Sequence, residues 1–167
     1  MATALFITRK DLVKNTVLSG SVDTDKFIQF IKLAQEIHVR NYLGTDLYNK
    51  ISTDIESSNL TGDYLALKND YIVPMLIHFA MAEYLPFAAY TISNSGVHKH
   101  NSENSQNADK REVDLLVAKE RDYAEYYASK FIDYMTYNAS GKFPEYFTNN
   151  NDDVYPEKDA LFNGWNL

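Results

Sequence analysis

The chain has 167 residues, enough for one domain with an arm or a tail, and at that size roughly 70% of the unfolded surface can be buried in a self-sufficient core. It contains no cysteine, which excludes disulfide frameworks, thiolate metal sites and cysteine nucleophiles. Lysine plus arginine number 16 against 23 for aspartate plus glutamate, and a formal charge of -7 is a poor start for neutralising phosphates, so nucleic acid is not expected as a primary ligand.

The first residues hold a short β-prone arm, Leu5-Phe6-Ile7, with no basic run before it, so no secretory leader is expected and assembly inside the cell fits best. Thr8 can cap a brief helix through Val13, and Gly20 serves as a turn residue. Asp23 or Thr24 then offers an N-cap for a helix in which Phe27, Ile31, Ala34 and Ile37 or His38 share one face. Gly44 stops that helix and permits a tight reversal at positive φ. Thr45 or Asp46 restarts the chain as a helix carrying Leu47, Tyr48, Ile51 and Ile55 inward, ended by Ser57-Ser58-Asn59.

Thr61 and Asp63 open a third helical region, with Leu65, Tyr71 or Ile72, Met75, Phe79 and Ala82 inward. Pro74 lies inside it, and because proline lacks the amide donor and crowds the preceding turn, a break is expected near residues 71–73. The longest apolar run, residues 71–82, falls short of the roughly 18 residues of a membrane span, so no membrane partner is expected.

Residues 91–109 are polar and asparagine-rich, and such a stretch forms either an extended hairpin or a swinging loop that a neighbouring subunit orders. A last long helix runs from about Ala108 to Asn138, with Val113, Leu116 or Val117, Ala124, Tyr127 or Ala128, Phe131 and Met135 inward. At about 45 Å it outruns what the other helices can cover. Gly141 follows, then Phe143-Pro144-Glu145-Tyr146-Phe147, an asparagine run, and a segment mixing acids with Tyr155, Leu161, Phe162 and Trp165.

These elements predict an all-α domain of four to five helices with one long polar loop and extended N- and C-terminal arms. The helical domain is expected over residues 1–142 and an extended arm over 143–167. Phe27, Ile31, Ala34, Leu47, Ile51, Phe79, Val117 and Phe131 are the expected core, because each recurs on one face of its helix.

No catalytic, metal or cofactor site is assigned. The histidines are His38, His78, His98 and His100, and none has the i, i+4 partner and glutamate of a zincin. Glu36 and His38 are two apart and turn to different faces, unlike the Glu-x-x-His of di-iron bundles. Gly141-Lys142 is followed by Phe143, so there is no phosphate loop, and Asp152, Asp153, Glu157 and Asp159 do not match a calcium loop. The bases at 110, 111, 119 and 121 alternate with acids, as on a solvated helix face. With 13 tyrosines against one tryptophan, the chain is rich in rings that pack while keeping a polar partner. The aromatic residues after Gly141 need a groove, on their own body or on a neighbour.

The segment Gly20-Ser21-Val22-Asp23-Thr24-Asp25-Lys26-Phe27, leading into Ile31-Lys32-Leu33-Ala34-Gln35-Glu36-Ile37-His38-Val39-Arg40-Asn41-Tyr42-Leu43-Gly44-Thr45-Asp46-Leu47-Tyr48, resembles the head-tail connector, or adaptor, proteins of tailed bacteriophages. It is most similar to ring proteins of crAss-like phages. Asn94-Ser95-Gly96-Val97 after an aromatic-rich helix and the tyrosine-rich last helix fit the same pattern. The resemblance extends to about Tyr146; the acidic tail beyond Asn149 lies outside it. It implies a structural virion protein, not an enzyme, assembled in the host bacterial cytoplasm. The expected partners are its own copies in a ring, the portal protein, and a downstream tail or second ring protein, with genomic DNA as passing cargo and no cofactor. Candidate interface residues are Leu5, Phe6, Gly96, Val97, His98, Tyr146, Phe147, Tyr155, Phe162 and Trp165. The other reading is a small helical regulatory or binding module that engages one partner through its aromatic C-terminal tail.

Overall fold

The computed structural model describes residues 4–16, 24–88, 90–93, 96–99, 109–148 and 153–159. Their helices are α1 (Arg9–Asn15), α2 (Thr24–Ala34), α3 (Arg40–Leu43), α4 (Thr45–Glu56), α5 (Gly62–Leu67), α6 (Val73–Tyr84) and α7 (Lys110–Lys142). A π turn, Gln35–Val39, joins α2 to α3 without a break, and a second, Lys68–Ile72, joins α5 to α6, so five helical rods form the domain. The fold is all-α, as the periodicity indicates. Its β structure among the described residues is one hairpin, β1 (Tyr90–Ser93) against β2 (Gly96–Lys99), antiparallel with Ile92 opposite Val97. The polar connection therefore opens as a hairpin; residues 94, 95 and 100–108 lie outside the described set.

The ends of the rods are set locally. Thr8 and Asp11 form a capping box on α1, and Asp109 and Glu112 form one on α7, where each side chain accepts from the other's backbone N–H at 2.8 Å. Gly44, at φ 75°, is the one residue between α3 and α4.

The expected break near Pro74 does not occur. The π turn Lys68–Ile72 ends with the Val73 N–H bonded to the Lys68 carbonyl, five residues back, and Pro74 falls in the first turn of α6. Widening the turn there lets the rod accept the proline ring that would otherwise crowd an α-helical carbonyl.

Helix α6 is the central rod. Met75, Leu76, Ile77, Phe79, Ala80, Met81 and Ala82 are all buried, so it is apolar nearly all round, as a helix covered on every side must be. Helices α2 and α7 pack on it. The inner face of α7 is lined by Ala124, Ala128, Phe131, Met135 and Ala139, whose small members let the two backbones approach closely. Phe27, Ile31, Ala34, Leu47, Ile51, Phe79 and Phe131 are core residues.

Val117 is not; it is half-buried, because burial along α7 begins only at Ala124. Residues 110–119 at the start of α7 carry no fully buried side chain, and from Glu120 on the helix meets His78 of α6. The expected boundary at residue 142 also moves. Phe143 and Tyr146 close the bottom of the core, with Phe143 packed edge-on against Tyr64 at 5.2 Å and Tyr146 against Phe131 at 6.2 Å. Tyr64 also donates to Glu145 at 2.7 Å.

Truncating Phe131 to alanine should lower the unfolding free energy by about 3 to 5 kcal/mol in chemical denaturation, since it is wholly buried at the α6–α7 seam. The same change at Leu116, near the start of α7, should leave stability within about 0.5 kcal/mol.

Candidate functional site

Three places on the molecule carry groups aimed at something other than their own helix. The first is the N-terminal arm. Gln35 is fully buried in the π turn, where its Oε1 accepts the Phe6 N–H at 2.8 Å and its Nε2 donates to the Ala4 carbonyl at 3.0 Å and to the Tyr48 hydroxyl at 3.3 Å. The amide thus pairs with the arm as a neighbouring strand would. Phe6 is buried against the Tyr48 ring at 5.0 Å, and Leu5 is half-buried against the same core. Phe6 is therefore part of this chain's own core and offers no surface to a neighbour. Gln35 falls four residues after inward Ile31, on the same helical face, so the spacing allows its burial and only its polarity argues against it.

The second is the α3–α4 corner. Here residues 153–159 return across the body as a strap. The Thr45 N–H donates to the Val154 carbonyl at 2.9 Å, the Val154 N–H donates to Thr45 Oγ1 at 3.0 Å, and the Glu157 N–H donates to the Asn41 carbonyl at 2.8 Å. Arg40 bonds Asp153 through one nitrogen and Glu36 through another, at 3.1 Å, while its Nε finds no acceptor among the described residues. Pro156 is buried against Gly44, where a Cβ would stand 2.7 Å from its ring carbons. Beside the strap, a cleft of about 180 Å³ is lined by His38, Asn41, Tyr42, Arg121, Glu125 and Glu157 among others. Burial pushes the Glu125 carboxyl up, with Asp122 adding to it and Arg121 and His38 opposing.

Two histidine–glutamate pairs tie the rods near this corner and on the far side of α6. His38 Nε2 lies 2.9 Å from Glu83, its ring stacked on Phe79 at 4.1 Å. His78 Nδ1 lies 2.7 Å from Glu120 and its ring is parallel to Tyr127 at 5.5 Å. Among the described residues, no three histidines or carboxylates converge as a metal set.

The third is the start of α7 with the turn Leu85–Phe87, which packs on α7, and the hairpin that follows the turn. Phe87, Tyr90, Leu115 and Leu116 are each at least half exposed there. Gly96, Val97 and His98 belong to β2.

Of the tail candidates, Tyr146 is core and not interface, while Phe147 and Tyr155 are exposed. Lys158 lies 5.8 Å over the Phe147 ring. Of the two grooves open to the tail, on its own body or on a neighbour, residues 153–159 lie on their own body. Phe162 and Trp165 lie outside the described residues.

A family of unknown function, DUF6712, matches residues 39–155, well over half of the chain. The chain belongs to this family. The match spans the whole α3–α4 corner, α5 to α7, and the first three described residues of the strap. No curated protein matches the chain, and no solved structure does.

Replacing Gln35 by alanine strands the Phe6 N–H and the Ala4 carbonyl, so stability should fall by about 1 to 3 kcal/mol and the Phe6 amide should lose its protection against hydrogen exchange. Burial, foremost, pushes Tyr42 and Tyr48 up to about 12 from the ordinary 10.0. Between those values the unfolded chain sheds protons that the folded chain keeps, so stability should fall as pH rises from about 10 to 12 and be unaffected by these groups below that window. Denaturation at stepped alkaline pH, with tyrosine ionisation followed by ultraviolet difference spectra, measures both.

Proposed function

We propose that this member of DUF6712 is a structural subunit of a phage head-tail connector. It forms a ring of its own copies beneath the portal, joins the capsid vertex to the tail or a second ring, and leaves a channel for DNA. The family match names no activity, so the reading rests on the resemblance over residues 20–48 and on one structural observation. The first two turns of α7 carry Leu115 and Leu116 at 64% and 52% exposure, and the turn Leu85–Phe87, which packs on α7, exposes Phe87. A monomer seldom keeps large exposed apolar side chains grouped together unless another surface covers them. Contacts from the start of α7 in one copy to the body of the next are head-to-tail, and such contacts close into a ring when the rotation divides evenly. The net charge of -7 suits a channel wall that DNA must pass without sticking.

The alternative, a binding module engaging one partner through its aromatic tail, draws on Phe147 and Tyr155, which stay exposed. Mass separates the two readings: a connector subunit assembles into large closed particles at high concentration or on a portal, and a module stops at monomer or dimer.

Leu115→Asp with Leu116→Asp should leave the melting temperature within about two degrees, as exposed sites do, and abolish rings seen by electron microscopy of the protein with candidate portals. Rings that survive this double change would remove α7 from the interface.

A further inference from the structure

We infer that the corner formed by Arg40, Asn41, Gly44 and Thr45 is a peptide-docking site whose occupant in the assembled protein is the strap, residues 153–157, of a second copy of this chain. The inference deepens the connector reading and rests on its claim that copies of the chain associate.

The corner has the chemistry of a peptide acceptor. The Asn41 carbonyl lies at the end of α3 and the Thr45 N–H at the start of α4, so neither has a partner within its own helix. Both are taken by strap backbone. Thr45 adds its side-chain oxygen to the Val154 N–H, and Arg40 supplies the opposite charge for Asp153. Specificity comes from shape. With no side chain at residue 44, a proline ring can sit directly on the corner, and the proline at 156 needs no amide hydrogen bond there. The site thus reads an acidic residue followed three positions later by proline.

Away from the corner, Lys158 lies over the Phe147 ring, and Thr148 ahead of the strap donates to Asp46 at 2.7 Å. Pro156 is buried and Val154 half-buried, while Asp153, Tyr155, Glu157, Lys158 and Asp159 are exposed. The peptide joining it to Thr148 is Asn149-Asn150-Asn151-Asp152, without an apolar side chain. Every contact the strap makes at the corner is available unchanged to the same segment of another copy, the condition under which identical elements exchange between protomers at low cost. In a single dilute chain the tether favours its own strap. Between copies held side by side that advantage disappears.

The absence of cysteine allows a direct test on the full-length protein. Asn41 and Glu157 are both exposed, and their backbones are joined by the 2.8 Å bond, which brings the two positions within range of a disulfide. The double variant Asn41→Cys/Glu157→Cys should close within one chain when oxidised dilute. Equal amounts of the two single variants, mixed at high concentration and then oxidised, should give about ten-fold more cross-linked dimer than Asn41→Cys mixed with Tyr137→Cys, a control at an exposed site on α7. Failure of the double variant to close overturns the docking itself. Cross-linking of the mixed pair at the control level overturns the exchange, and particles larger than a monomer in that same sample would leave the connector reading standing on other contacts. A cross-linked dimer with no larger particle would uphold the exchange and count against the ring.

Discussion

Gly44 meets two demands at once. The chain must reverse between α3 and α4 within one residue, which places it at φ 75°, and the space beside its Cα must stay open for Pro156. Either demand alone is met by glycine at little cost, and a methyl group violates both. The neighbours on each side are then fixed. Tyr42, Leu43, Thr45 and Leu47 are all buried while Asn41 is exposed, so the corner sits at the edge of the core and its loose backbone groups call for partners. The strap supplies two of them. The tight reversal and the seat of Pro156 thus both depend on one missing side chain.

The reversal itself is legible in the sequence, because Leu43-Gly44-Thr45 sits between two helical periodicities and glycine is the residue that accepts positive φ. The second demand is not legible. Pro156 is more than a hundred positions away, in a stretch of acids and asparagines that reads as a solvated tail. Local rules explain Asp109 as the cap of α7 and the alternation that places Phe27, Ile31, Leu47, Ile51 and Phe131 inside. They overreach at Val117, which is half-buried, because full burial along α7 begins only at Ala124. Amphipathic spacing states which way a residue points and is silent on whether anything is there to meet it.

The two π turns mark a different limit. Each inserts one residue into a rod, and each changes the identity of what is buried downstream of it. The first insertion begins at Gln35, a polar amide held at full burial that clamps the N-terminal arm. The second, at Lys68–Ile72, absorbs Pro74. Read from the sequence, Gln35 is a polar residue with no assigned place, and a break is expected at Pro74 because proline lacks a donor. Tertiary structure answers both: Gln35 finds its partners in Phe6 and Ala4, and the wider turn accommodates Pro74.

The arms and the start of α7 divide the work of association unequally. A strap that leaves its own corner for an identical corner on another copy trades equal contacts, so exchange cannot drive copies together. Its tether gives the resident strap an effective concentration on the order of millimolar, and free copies below that level keep their own. The free energy for a first encounter must therefore come from other surface, and among the described residues Leu115 and Leu116 are adjacent exposed apolar groups at the start of α7. Once such contacts hold two corners at a fixed distance, a neighbour's strap competes on level terms and exchange adds a topological link that resists pulling apart without adding affinity. The order of events follows from the energetics: α7 contacts first, straps second, with the Gly44 corner closed in every state.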